Sequence, residues 1–387
     1  MTTVKAQTSK NRKRRRSRLP GVFLSVVLLA AVSVAAAVMI TNDGRLDKEG
    51  LMRLLESLGG RQQTAAFSFD AGVGAVYAEV DGGLAVCSSA GLQVYNRDAA
   101  LVYEEAYEMA VPTVSAGGKT VCTYDLGGYL VKVFDKGGVL YTLKAEGKII
   151  SATMGDGGWL ALTTEGSGVY KSLVSVYDRS GQSVYRFESA TGYVLTAAVS
   201  PDNGSLAVLT LWEQGSRVVF FSLDSPAEKA SCRFDGSVVL DIRYLANGSV
   251  VAVGYESLML VHPNGNSQQL LDYSGRFLVN YTTESPMFTA LVLNDYMVGD
   301  QGSILTVDRA GNTLGTLQTS KKVLWMSASG DYLVVLYSDG LVLYDRHLKE
   351  RARFDDTAGA VQTIMRSDGT ALLILPHSAT VCAPNIR

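Results

Sequence analysis

One phrase keeps returning along this 387-residue chain: an apolar run closing on an acid or amide, a turn, then a second apolar run, as in YLVKVFDKGGVLYTL from Tyr129 to Leu143. Measured where the first run ends, it recurs at Asn96, Asp135, Asp178, Asp224, Pro263, Asp308 and Asp345, at intervals of 39, 43, 46, 39, 45 and 37 residues. A period of about 40 to 45 residues with several short strands per unit is the signature of a β-propeller. A lone sheet of this kind cannot bury both faces. Stacking sheets about an axis buries them all and leaves no long open edge.

A second ruler agrees with the first. Tight turns precede another apolar run at Asp81-Gly82, Gly117-Gly118, Asp156-Gly157, Asn203-Gly204, Asn247-Gly248, Gly330 and Asp368-Gly369, and Ser285-Pro286 fills the one gap. Asp-Gly and Asn-Gly suit such hairpins because two-residue turns need positive φ. Eight turns predict an all-β, eight-bladed propeller with four strands per blade. A seven-bladed ring ranks second, because it would leave one apolar unit with nothing to pack against. The last unit, VQTIMRSDGTALLILPHSATVCAP, holds only three strands, and TAAFSFD (Thr64 to Asp70) is the spare one. Residues 64–387 are therefore expected to form the ring, with 64–70 closing it as the outer strand of the final blade.

Charge separates the start of the chain from this body. Residues 1–21 carry eight Lys and Arg and no acid, so the remainder holds 27 basic side chains against 37 acidic ones. An acidic body repels nucleic acid, whose binding depends on neutralising phosphates, so no nucleic-acid partner is expected. The basic cluster precedes Val22 to Ile40, nineteen residues without a charge. At about 1.5 Å per residue such a helix spans a hydrocarbon core of about 30 Å. Lys and Arg stay on the cytoplasmic side. The expected arrangement is a cytoplasmic tail (1–21), a single transmembrane helix (22–40), a stalk with a short helix (41–63) and an extracellular propeller at the cell membrane. Ala35-Ala36-Ala37 offers a signal-peptidase site as the competing reading, but the apolar run is longer than a usual signal core. In the stalk, Leu51, Leu54, Leu55 and Leu58 share one helical face before glycines end it.

Catalytic and metal-binding patterns do not emerge. His262, His347 and His377 stand far apart and near no cysteine pair, so neither zinc spacing nor a Cys/His nucleophile arises. Cys87 and Cys122 hold equivalent positions in neighbouring units and read as small buried hydrophobes. Cys232 and Cys382 have no evident partner. GGKT at Gly117 to Thr120 ends like a phosphate loop, but Thr113 stands where the first glycine is required, and the segment is a hairpin. The sequons at Asn203, Asn247 and Asn280 matter only in a glycosylating host. No catalytic residue, metal or cofactor is assigned.

The loops after each second strand emerge on one face of such a ring, and they repeat an aromatic beside an acid. The pairs are Tyr124-Asp125, Trp212-Glu213, Tyr255-Glu256, Asp295-Tyr296 and Tyr337-Ser338-Asp339. Aromatics supply contact area and acids supply directional hydrogen bonds, so this face is the candidate site for a protein or envelope-polymer ligand. Packing against the next blade and turn stabilisation would account for the same residues. The opposite face carries short polar turns.

The basic tail, the apolar segment and the VYD-x-x-G phrases together resemble an uncharacterised family of membrane-anchored propellers from Gram-positive anaerobic bacteria. The blades also look similar to WD40-like and quinoprotein-like propellers. Trp159, Trp212 and Trp325 are not in Trp-Asp dipeptides, and no blade has the quinoprotein docking motif. The expectation is a membrane-tethered, non-enzymatic binding module. A quinoprotein-like or hydrolytic propeller enzyme is the alternative.

Overall fold

The computed structural model describes residues 66–72 and 74–384, where all regular secondary structure is β-strand. The expected tail, transmembrane helix at Val22 to Ile40 and stalk helix lie outside the described residues. The strands form eight antiparallel sheets of four. Blade 1 spans Val76–Ala106, blade 2 Pro112–Lys144, blade 3 Ile149–Ser189 and blade 4 Tyr193–Asp235. Blade 5 spans Val239–Asp272, blade 6 Phe277–Thr319 and blade 7 Val323–Phe354. In each of these seven the chain runs inner, second, third, outer strand in order. Blade 8 takes three strands from Gln362–Cys382 and its outer strand from Ala66–Ser68. The ring therefore has eight blades rather than seven.

Burial explains the composition of each strand. Second strands are covered on both faces, and several read as unbroken apolar runs, such as Val250–Gly254, buried at every position. Outer strands face water on one side and alternate, as Ser183–Ser189 does. Among the described residues there is no single central core. The buried apolar residues fall into eight clusters, each joining two neighbouring blades. Phe288 and Ile304 of blade 6 meet Leu333 and Tyr344 of blade 7, and Phe67 and Leu372 of blade 8 meet Tyr77 and Leu84 of blade 1. Eight interfaces for eight blades complete the circle.

The closing strand pairs Ala66 with Thr380, Phe67 with Ala379 and Ser68 with Ser378. The Phe69 N–H then donates to the His377 carbonyl at 3.1 Å. Phe67 is fully buried and meets the Tyr95 ring edge-on at 6.2 Å.

In blades 2, 3, 6 and 7 the acid that ends the third strand caps the turn after it, whereas Asp224 of blade 4 accepts the Ser222 hydroxyl. The Asp178, Asp308 and Asp345 carboxylates each accept backbone N–H groups two and four residues on, at 2.8–3.0 Å. Asn96 does the same with its amide oxygen. The phrase repeats because most turns from third to outer strand present the same unpaired donors. In blade 5, where Pro263 stands in that place, Asn264 accepts the Asn266 N–H instead. At the tight turns, Asp81 (φ 48°) and Gly82 (φ 82°) both adopt the left-handed conformation that two-residue hairpins require. Blade 6 has no glycine there. Its loop is held by the Arg309 guanidinium, which donates to the Pro286 and Phe288 carbonyls at 3.2 and 3.1 Å, to that of Ser285, and to Thr289 Oγ1 at 2.7 Å.

Candidate binding face

The antiparallel order of each blade sorts its connections onto two sides of the ring. Turns from inner to second and from third to outer strand share one side, the turn face. Loops from second to third strand and the connections between blades share the other, the loop face. All five aromatic-acid pairs singled out in the sequence lie at the loop face, but their side chains differ in what they offer.

Tyr124 and Tyr337 are 7% and 4% exposed and belong to the clusters between blades 2 and 3 and between blades 6 and 7. The Tyr337 hydroxyl lies 3.1 Å from that of Tyr344. Their acids are occupied locally, Asp125 accepting the Val111 N–H at 2.8 Å and Asp339 pairing with Lys321 at 2.6 Å. These two tyrosines are packing residues. Trp212 is half-buried, with the Arg233 guanidinium 4.8 Å from its ring centroid. Tyr255 and Tyr296, by contrast, are 49% and 64% exposed. Glu213 and Glu256 are exposed beside them, while Asp295 pairs with Arg276 at 3.0 Å. The structure thus gathers Trp212, Tyr255 and Tyr296 on consecutive blades 4 to 6 as the part of the pattern that meets solvent.

Sequence reasoning overlooked further members of this face. Among the described residues, large exposed apolar side chains lie on the loop face or in the channel, except for Leu101, Val102, Leu140, Val184, Met287 and Tyr332. Val169, Met297 and Val298 are the most exposed of all. Tyr193 also belongs here, with the Lys171 ammonium 5.0 Å from its ring centroid. Scattered exposed leucines are ordinary, whereas here the exposed apolar side chains gather on one side of the ring.

A second missed feature lies on the inner strands. In blades 3 to 7 the pairing of inner with second strand slips by one residue at the same place, after Ile149, Val194, Val239, Leu278 and Val323. The extra residues are Ile150, Leu195, Leu240, Val279 and Leu324, every one aliphatic. Each forms a doublet with the residue before it, and that doublet breaks the period-two alternation of a regular strand.

The central channel opens into a cavity of about 660 Å³ lined by Glu79, Asp156, Arg243, Glu284, Trp325 and Gln362 among others. Its charges largely satisfy one another. Arg243 lies 3.6 Å from Asp156, and Glu284 accepts the Ser327 hydroxyl at 2.7 Å and the Ala328 N–H at 3.1 Å. Above them Asp241 accepts the Ile242 N–H at 2.8 Å, with the Tyr281 hydroxyl beside it. Burial lifts its carboxyl above the ordinary range despite those donors and Arg243. The four cysteines are free and buried. Burial pushes the Cys87 and Cys122 thiols up to about 12, so neither is a thiolate nucleophile at neutral pH.

Residues 62–379 match the model of a family described as a family of unknown function (DUF5711). No curated protein matches the sequence. Solved structures with a similar fold include the C-terminal WD40 domain of Sif2, at 12% identity and a TM-score of 0.60, covering 82% of this chain and 96% of that one. BamB from Moraxella catarrhalis aligns at 12% identity and 0.53, covering 83% and 97%. Apo AztD from Citrobacter koseri aligns at 10% and 0.50, covering 73% and 86%. At such identities the likeness speaks for the fold alone.

Proposed function

We infer that this chain, which belongs to the family of unknown function DUF5711, is a binding scaffold whose loop face receives a protein or cell-envelope ligand. Its propeller is held outside the cytoplasm by an anchor at Val22 to Ile40. The observation that carries the reading is the gathering of exposed apolar side chains, Tyr255 and Tyr296 among them, on one side of the ring. Ala66 pairs toward the Cys382 end of its neighbour, so the polypeptide enters the ring from the turn-face side.

The test places a photo-crosslinking residue at Tyr255, at Tyr296 and, on the turn face, at Tyr332 of the full-length chain in its native membrane. Partner crosslinks from the first two and none from the third are expected. Crosslinks from Tyr332 alone would refute the assignment. A second reading, a hydrolytic propeller acting on glycans, draws on the channel cavity, where Trp325 is 41% exposed near Glu284 and Asp156. Glycan hydrolysis that disappears in Glu284→Gln would favour it over the scaffold.

A further inference from the structure

We propose that the loop-face mouth of the channel seats an aliphatic or aromatic side chain of a cationic polypeptide, on a crescent built by the five inner-strand bulges; this rests on the reading of the loop face as a partner surface. The argument begins with the doublets. In a regular inner strand each side chain enters one of the two interfaces flanking its blade. A bulge sets two residues opposite one and re-aims a side chain. Val239 and Ile242 are buried in the cluster between blades 4 and 5, whereas Leu240, between them, is 43% exposed. Val279 and Leu324, in the same place on blades 6 and 7, are 53% and 41% exposed, and all three lie outside the eight apolar clusters. Ile150 extends the row on blade 3, half-buried, and Leu195 on blade 4 is half-buried against the cluster between blades 4 and 5.

The inner strands of blades 1, 2 and 8 pair without a slip. The apolar row therefore covers five consecutive blades and forms a crescent, not a closed ring. Structural need does not explain it, since three blades of the same ring do without the bulge. A bulge that only relieved strain would also tolerate any side chain, yet all five inserted residues are aliphatic.

Charge selects the occupant. Around the crescent Glu165, Glu213, Asp235, Glu256, Asp272, Asp300, Asp355 and Asp356 are exposed and form no ion pair among the described residues, against Lys144, Lys148, Lys171, Arg233 and Lys322, of which Lys171 and Arg233 lie over aromatic rings. The surplus of carboxylate repels an anionic lipid surface or an acidic chain and draws a segment rich in Lys and Arg. Apolar seat and acidic rim together fit a basic segment with an apolar anchor, in the manner of a desolvated centre within a polar rim.

The test uses the full-length chain in lipid nanodiscs, where no free detergent competes for apolar surface. The probe is a fluorescein-labelled peptide of about twelve residues, Lys, Arg and Gly around a central Leu-Phe pair, read by anisotropy. Binding that weakens steeply with salt is expected. Leu240→Ser with Leu324→Ser should weaken it about tenfold or more, and replacing the Leu-Phe pair by Gly-Gly against the unaltered protein should do the same without touching the fold. If the crescent variant binds like the parent while Tyr255→Ala with Tyr296→Ala loses binding, the seat is wrong and the loop face stands. If neither variant changes binding, both readings fail. Equal binding of a Glu-rich version, preferential binding of anionic vesicles, or no binding of the basic peptide overturns the proposed chemistry.

Discussion

Replacing Phe67 by Ala should unfasten the ring at one seam and leave the rest of it standing. Phe67 is fully buried, packs with Leu372 and Tyr77 across the seam, and lies on a strand with only three residue pairs to its neighbour. Truncating a buried Phe costs about 3–5 kcal/mol. The edge-on contact with Tyr95, 86° between planes, accounts for about 0.5–1.5 kcal/mol of that. Among the described side chains of this segment Phe67 and Phe69 are buried, and Ser68 is exposed. The loss therefore rivals everything holding the strand. At about 1.4 kcal/mol per factor of ten, its open population should rise by roughly two to three and a half orders of magnitude.

Native-state hydrogen exchange followed by mass spectrometry is the assay. Amides at 66–69 and 378–382 should exchange far faster in F67A, while those at 250–261 in blade 5 keep their protection. Phe220→Ala is the control. It is as deeply buried, between blades 4 and 5, and meets Tyr244 edge-on at 6.4 Å. Both blades there are continuous in the chain, so it should lower the melting temperature without selectively exposing 378–382. If F67A left exchange at 378–382 within about twofold of the parent, or loosened blade 5 equally, the account of closure would be wrong.

Two further substitutions test the interior. Arg309→Lys should cost about 2–4 kcal/mol, read as a loss of melting temperature, because one ammonium cannot reach the three carbonyls and the Thr289 hydroxyl that a planar guanidinium serves; a neutral result would show that the Ser285-Pro286 loop holds itself. Asp241→Asn should stabilise the fold at pH 7 and make little difference near pH 3. Its carboxyl is raised above the ordinary 3.8 by burial, so the folded chain holds that proton more tightly, and the penalty appears as pH rises from 3.8 through the folded value. Loss of stability at pH 7 in the Asn variant would mean that attraction to Arg243 outweighs desolvation.

The blade count was readable because two kinds of turn each demand their own chemistry: in most blades an Asp or Asn to take the backbone donors after the third strand, and a left-handed residue, glycine in six blades, before the second. Blade 6 escapes the second rule, since the arginine that replaces its glycine comes from a turn some twenty residues on and leaves no local mark. The proposed binding face was readable only as a side of the ring. Tyr124 and Tyr337 look like Tyr255 and Tyr296 in the sequence, yet the first two stand within their strands (Thr120–Asp125 and Tyr332–Tyr337) and the others lie beyond theirs. One residue of strand length reverses which way a side chain points, and composition does not set strand ends that finely. The aliphatic doublets were visible too, but a doublet marks a bulge only once the neighbouring strand's register is known.

The last blade also sets a timetable for the nascent chain. Ala66–Ser68 leaves the ribosome roughly 300 residues before the strand it must join, an interval of roughly 15–60 s at translation rates of about 5–20 residues per second. Through that time Tyr77, Leu84 and Val86 present the uncovered wall of blade 1, and a free strand end waits beside it. Two polysome-borne copies that meet in that window can trade first strands, each completing the other's circle.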